Sequence, residues 1–372
     1  MAIRKLKLLF FVGEDWAFCS HRISLAIAAQ ESGYDVTVVT RVRNHAKEIQ
    51  KTGIKLIPFE QNRLSTNPFI LVYTILHLAY IFFNEKPDII HNVSIKQVIL
   101  GACSAMLTKN KNVVSAITGL GWISNEKHFK SRLLHHIVKY VLRKIPLGRV
   151  IVQNRDDLMW IKNIGVDSQR VHLIKGSGVN ISEFKPNFNN FNEKVKVILA
   201  ARMLWDKGIG EFVQAAKFLI KSGIEAEFIL VGAPDYSNPA AIPEKQLHQW
   251  VQQGYIKWLG FQKDISLFLS NCDIACLPSY REGLPKFLIE ACASGLPIVT
   301  TDVPGCRDLV IDQKNGFLVS SLKFKHLANA LKKLIENEDL RLNMGKINRT
   351  LAIKYLSSEI INKKTLKLYN GY

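Results

Sequence analysis

Short apolar runs alternate along the chain with segments whose apolar residues recur at helical spacing. Leu6–Val12 is an almost unbroken apolar run stopped by Gly13, Gly13–Arg22 reads as a loop, Ser24–Gln30 has helical spacing up to Gly33, and Val36–Thr40 is apolar again. Parallel strands need a crossover between them, so the opening is a β-α-β unit. The alternation continues through runs at Ile54–Ile57, Asp88–His91, Val113–Ile117, Arg149–Gln153 and Val171–Ile174, with a helix over Asp156–Ile164. It restarts at Val195–Ala200, before a helix over Ile209–Lys221, and adds strands at Phe228–Val231, Ile256–Leu259, Ile274–Leu277, Leu296–Thr301 and Gly316–Val319. Helical patterns at Lys323–Glu336, Asp339–Lys354 and Ser357–Leu368 close the chain. The polar run Asn187–Glu193 reads as a linker. The prediction is an α/β protein of two doubly wound, Rossmann-like domains, which 372 residues accommodate.

Two segments depart from this alternation. Phe69–Phe83 is apolar on nearly every side, yet shorter than the about 20 residues that cross a bilayer. It reads as a helix buried against the sheet, with a membrane-interface face as the alternative. Within Trp122–Arg149, positions 134, 137, 138, 141 and 142 form one apolar helical stripe. Lys127, Lys130, Arg132, Lys139, Arg143, Lys144 and Arg149 flank it, with no acidic residue after Glu126. Such a helix is a solvated face or one suited to an anionic membrane.

Charge sharpens this. The net charge is +19, and residues 1–190 hold 26 Lys/Arg against 13 Asp/Glu, or +13. The first half therefore meets something anionic, and no RNA- or DNA-reading motif accompanies the charge, so nucleic acid is not expected. The start MAIRKLKLLFFVGED imitates a signal peptide, but its apolar run meets Glu14 and Asp15 at once and reads as the first strand. Six scattered cysteines lack any C-x2-C pair, which fits buried reduced thiols and a cytoplasmic setting.

The candidate chemistry centres on Ser279–Pro304, which reads strand end, polar turn, helix. In a parallel sheet that turn lies where ligands bind, outside the carboxyl ends of the strands. Gly283 lets the backbone approach a ligand, Pro285 suits a helix start, and the free amides of the turn form an anion site with Leu284 between them. Glu282 and Glu290 would repel phosphate, so their partners are hydroxyls. Hydroxyls flanking a phosphate describe a nucleotide sugar. Arg202 and Lys207, at the entry to the Ile209–Lys221 helix, supply cations that a departing pyrophosphate needs as its charge grows. His21 and Arg22 stand near the start of the first helix, as weaker candidates for phosphate or acceptor contact.

Glu282–Glu290 with EGLP, followed by Gly295-Leu296-Pro297 and Val303-Pro304-Gly305, resembles the E-x7-E signature of family 4 glycosyltransferases, retaining enzymes of the two-domain GT-B fold. Ala201–Gly208 matches the family's GR-x-x-x-x-KG loop with Ala201 for its first glycine, Lys86–His91 resembles its KPDIIH segment, and Gly176–Asn180 with Phe184–Pro186 resembles its NGVD…F.P segment. Where many members carry a histidine after the fifth strand, Thr118 stands here. The Ala233–Pro243 segment resembles an insertion in bacterial hexosaminyltransferases acting on lipid-linked saccharides.

The resemblance implies a retaining transfer of an N-acetylhexosamine from a UDP-sugar to a polyprenyl-diphosphate-linked saccharide at the cytoplasmic face of the inner membrane, on an anionic membrane surface. It implies domains over 1–186, which binds the acceptor, and 187–354, which binds the donor, with a crevice between them and residues 355–372 returning to the first. Arg202, Lys207 and Glu282 would be catalytic, and Gly13, Gly119, Phe261, Gly283, Leu284, Pro285 and Glu290 would hold the donor, Phe261 at the base and Glu290 at the ribose diol. Metal would not be needed, and no cofactor is expected. The competing readings are a UDP-sugar epimerase or hydrolase of the same fold and a non-catalytic module binding polyanions or membrane.

Overall fold

The computed structural model describes residues 4–61, 67–121, 129–145, 148–188 and 193–371, without the side chains of 129–131. Two compact units result, one of Met1–Ser177 with Ser358–Tyr372 and one of Gly178–Ser357. The transitions read from sequence, at 186/187 and 354/355, lie within nine and three residues of these.

The first unit holds seven parallel strands, β1 (Lys7–Glu14), β2 (Asp35–Arg41), β3 (Lys55–Pro58), β4 (Ile89–Val93), β5 (Val113–Ile117), β6 (Arg149–Val152) and β7 (Val171–Leu173), in the order β3-β2-β1-β4-β5-β6-β7. The second holds β8 (Val195–Ala200), β9 (Ala226–Val231), β10 (Lys257–Trp258), β11 (Ile274–Leu277), β12 (Ile298–Thr301) and β13 (Gly316–Val319), in the order β10-β9-β8-β11-β12-β13. Each sheet steps outward from its first strand and then reverses, at β1/β4 and at β8/β11. Loops leaving the carboxyl ends on either side of such a reversal diverge and leave a crevice for ligand. Burial on both faces explains why the strand Ile274–Leu277 is continuously apolar, while in the equally buried Ile298–Thr301 the Thr300 and Thr301 hydroxyls donate to the carbonyls of Leu277 and Ser279.

The closing helix, Ser358–Tyr369, belongs to the first unit. Tyr369 is buried with its hydroxyl on His91 Nδ1, Asn362 Nδ2 donates to Ser24 Oγ at 2.9 Å, and Arg149 donates to the carbonyls of Leu368 and Gly371, both at 2.8 Å. Arg149 therefore fastens the chain's end rather than joining a basic surface.

Three sequence expectations need correcting. The segment Gly13–Arg22, expected as a loop, contains a helix over Asp15–His21. The buried Asp15 carboxylate accepts from the amides of Trp16, Arg43 and His45, the last two about thirty residues away, so no local pattern announces it. The apolar segment forms the helix Pro68–Glu85, started by Pro68 and capped by Asn67, but only one face enters the core, through Thr74, Leu78, Ala79, Ile81 and Phe82. Phe69, Tyr73, Leu76, Tyr80 and Phe83 are exposed, each more than half. By length and composition this helix suffices to cross a membrane, and 22% of it is buried. In the helix Phe129–Lys144, Val138, Val141 and Leu142 are buried, whereas Ile137 lies outward with Leu133 and Tyr140. Lys127 and the side chain of Lys130 fall outside the described residues. All six cysteines are free, and burial with the Glu282 charge nearby pushes the Cys306 thiol up to about 12.

Candidate active site

The second unit assembles its candidate residues at the β8/β11 reversal. The loop after β8 carries Arg202 and the short turn Trp205–Lys207, and the loop after β11 carries Ser279 to Pro285. Gly208 joins the two. Its φ is +71°, and a Cβ there would lie 2.1 Å from the Pro278 carbonyl oxygen, so the two loops touch backbone to backbone only because this residue is glycine. Tyr280 N donates to Asp206 O at 2.9 Å, and Tyr280 Oη donates to the Glu211 carboxylate, with its oxygens at 2.8 and 3.0 Å.

That contact places Lys207 Nζ 2.5 Å from Glu282 Oε1, with both side chains largely buried. Ser279 Oγ donates to the same oxygen at 2.6 Å. Among the described residues nothing occupies Glu282 Oε2, so a carboxylate held on one oxygen presents the other to a hydroxyl donor. Arg202 is drawn elsewhere, with Nη1 2.6 Å from Asp235 Oδ2.

Lys286–Ala293 is the helix expected from the apolar spacing, with Pro285 as its N-cap and no side chain capping it. Leu284 packs into the core beneath the turn. A Cβ on Gly305, where φ is +81°, would lie 2.4 Å from Gly283 O, so the turn rests on Gly305. Glu290 is buried, 3.3 Å from Lys286 Nζ. Burial pushes its carboxyl above the usual carboxylate range, opposed by the Lys286 charge. Phe261 lies at the same carboxyl edge after β10, 75% exposed.

The first unit places Gly13 at the end of β1, where Gln61 Nε2 donates to its carbonyl at 3.1 Å, and Gly119 just beyond β5 with φ +135°. His21 and Arg22 line a cavity of about 10 Å³, room for a single water, together with His91, Asn362 and Thr365. Arg22 is 6% exposed, and its Nε has no partner. A phosphate would need the surrounding chain to move before reaching it.

Sequence reasoning missed Asp235, Ser279, Tyr280, Glu211 and the two supporting glycines. Gly208 and Gly305 lie inside motifs that were noticed. Ser279 likewise lies in the noticed turn, three residues from its partner Glu282, whereas Asp235, Tyr280 and Glu211 act through partners 33 or 69 residues away, which spacing does not reveal.

Residues 180–351 match the family model for glycosyl transferases group 1, and residues 7–154 match that for glycosyl transferase 4-like proteins. A Campylobacter jejuni N,N'-diacetylbacillosaminyl-diphospho-undecaprenol alpha-1,3-N-acetylgalactosaminyltransferase is 29% identical over 94% of each chain. An Escherichia coli UDP-Gal:alpha-D-GlcNAc-diphosphoundecaprenol alpha-1,3-galactosyltransferase is 26% identical over 72% of each. Among solved structures, Anabaena HepE in complex with UDP superposes with a TM-score of 0.78 at 18% identity, covering 99% of this chain and 100% of that one. Sucrose-phosphate synthase from Thermosynechococcus elongatus reaches 0.79 over 99% of both chains. These likenesses establish the GT-B fold, and none supports the epimerase or non-catalytic reading.

Proposed function

The chain belongs to the family 4 glycosyltransferases, and from that premise we propose that it moves a hexosamine or hexose from a UDP-sugar to a saccharide on a polyprenyl diphosphate, with retention at the anomeric carbon. The observation that carries the donor half is the Lys207–Glu282 pair at the β8/β11 reversal, which sets a cation and a hydroxyl acceptor side by side. Lys207 and Arg202 stabilise the charge that builds on the diphosphate as the glycosidic bond breaks. Glu282 orients the sugar through its hydroxyls, and Glu290 holds the ribose diol. The acceptor hydroxyl attacks the face the diphosphate leaves, and its proton passes to a phosphate oxygen. Lipid-linked acceptors of the two relatives support the acceptor half. The test is product analysis by NMR. Retention from an α-linked UDP-sugar gives an α bond, and a β bond would overturn the mechanism.

Glu290 gives this reading a pH signature. Ribose hydroxyls need the carboxylate, so UDP affinity should fall as pH drops through the raised Glu290 pKa, at higher pH than for an ordinary glutamate. Stability runs the other way, because a buried carboxyl favours its neutral form and loses that contribution as pH rises through the folded value. Titrating UDP binding against pH should show the slope in the wild type and its loss in Glu290→Gln.

The first unit is the membrane-facing part in this proposal. Its helices Pro68–Glu85 and Phe129–Lys144 bury one face in a common core through Leu78, Phe82 and Val141, and turn apolar and cationic residues outward. Phe69, Tyr73, Leu76, Tyr80 and Phe83 suit the headgroup boundary of a cytoplasmic bilayer face, and Arg132, Arg143 and Lys144 add about 1 kcal/mol each near anionic lipid. Sedimentation with phosphatidylglycerol vesicles should pull the protein down and weaken with salt. The Tyr73→Ser, Tyr80→Ser, Phe83→Ser triple variant should stay in solution. Equal sedimentation of the variant would remove this surface from the account.

A further inference from the structure

We propose that Asp235 is a positioning residue that sets the Arg202 guanidinium for the donor diphosphate, an inference resting on the reading of Arg202 as a diphosphate ligand. The segment Ala233–Pro243 lies along the Arg202 loop and is stitched to it throughout. Met203 N donates to Ala233 O at 3.0 Å, Ile242 N to Met203 O at 2.9 Å, and Trp205 N to Ala240 O at 2.9 Å. Leu204 and Ala241 form an isolated antiparallel bridge. At its head, a Cβ on Gly232 would lie 1.8 Å from Ala201 O, so the two backbones meet where only glycine fits.

Within this brace the Asp235 carboxylate is itself held. Oδ1 accepts from Ser237 Oγ at 2.6 Å and from Ser237 N at 3.2 Å, which leaves Oδ2 aimed at Arg202 Nη1, 2.6 Å away. The Arg202 side chain is 36% exposed and that of Asp235 20%. A guanidinium carries five donors in a planar fork, so an Nη1 bond to Asp235 is compatible with contacts from the same group to a pyrophosphate. A long flexible cation is thereby fixed before the donor arrives, which reduces the entropy lost on binding.

A purely electrostatic role would have the opposite sign. A carboxylate this close to a diphosphate repels it, so removing the charge alone would tighten donor binding. The two accounts separate on UDP affinity, measured calorimetrically on the full chain. Asp235→Ala should weaken UDP binding about tenfold, the worth of one charge-assisted hydrogen bond, and lower kcat/KM at least as much. Asp235→Asn keeps an acceptor oxygen and should recover part of that loss. Arg202→Ala should weaken binding too, and Asp235→Ala added to it should cost little more, since the pair acts as one unit. Unchanged or tighter binding in Asp235→Ala, with Arg202→Ala still weakened, would overturn the inference. Unchanged binding in Arg202→Ala would instead overturn the reading of Arg202. Equal melting temperatures across the set are expected, and a fall confined to the Asp235 variants that matched their affinity loss would reduce Asp235 to a structural brace.

Discussion

Replacing Lys207 with alanine should lower kcat for transfer by about a hundred- to a thousandfold, the range for removing one donor aimed at developing transition-state charge. The ammonium is within 2.5 Å of Glu282, so its loss also leaves a largely buried carboxylate with Ser279 as its remaining partner. Donor KM should rise less than kcat falls, because the diphosphate carries more charge as it leaves than when it binds. Lys207→Arg keeps the charge but not the reach, and should recover a fraction. Steady-state kinetics with saturating acceptor reads both constants. A rise confined to KM, with kcat unchanged, would mean that Lys207 binds ground state and transition state alike.

The second large effect concerns the backbone beneath that pair. Gly208→Ala should cost about 3 kcal/mol, combining left-handed strain with a Cβ placed on the Pro278 carbonyl, and lower the melting temperature by about 6–12 °C. Gly223 supplies the control. Its φ is +81°, but a Cβ there meets nothing within 4 Å, so Gly223→Ala pays the strain alone. Any surviving activity of Gly208→Ala should fall with the stability, since the displaced loop carries Lys207. Equal melting temperatures for the two variants would show that the loops do not depend on this close approach.

Much of the site was legible because its parts are local. The apolar run Ile274–Leu277, the EGLP turn and the helix Lys286–Ala293 follow one another, and each signals itself by spacing or by proline and glycine. The β8 and β11 loops could be marked as ligand loops for the same reason. What joins them could not. Strand order, and hence the β8/β11 reversal, is a property of the assembled sheet. Asp235 meets Arg202 across 33 residues and Glu211 meets Tyr280 across 69, distances at which sequence carries no period. The helix that begins at Asp15 was hidden because the amides holding its buried carboxylate, those of Arg43 and His45, lie 28 and 30 residues away. The first reading of Pro68–Glu85, a helix buried against the sheet, missed its outward face because an apolar residue looks the same in sequence whether it is buried or exposed.

The most direct test of the central claim is UDP release by the purified protein from a panel of UDP-sugars, with and without a polyprenyl-diphosphate-linked saccharide, in EDTA. The account predicts release from one donor that requires the acceptor, proceeds without metal, and disappears in Glu282→Ala. Release that proceeds equally without acceptor would contradict it.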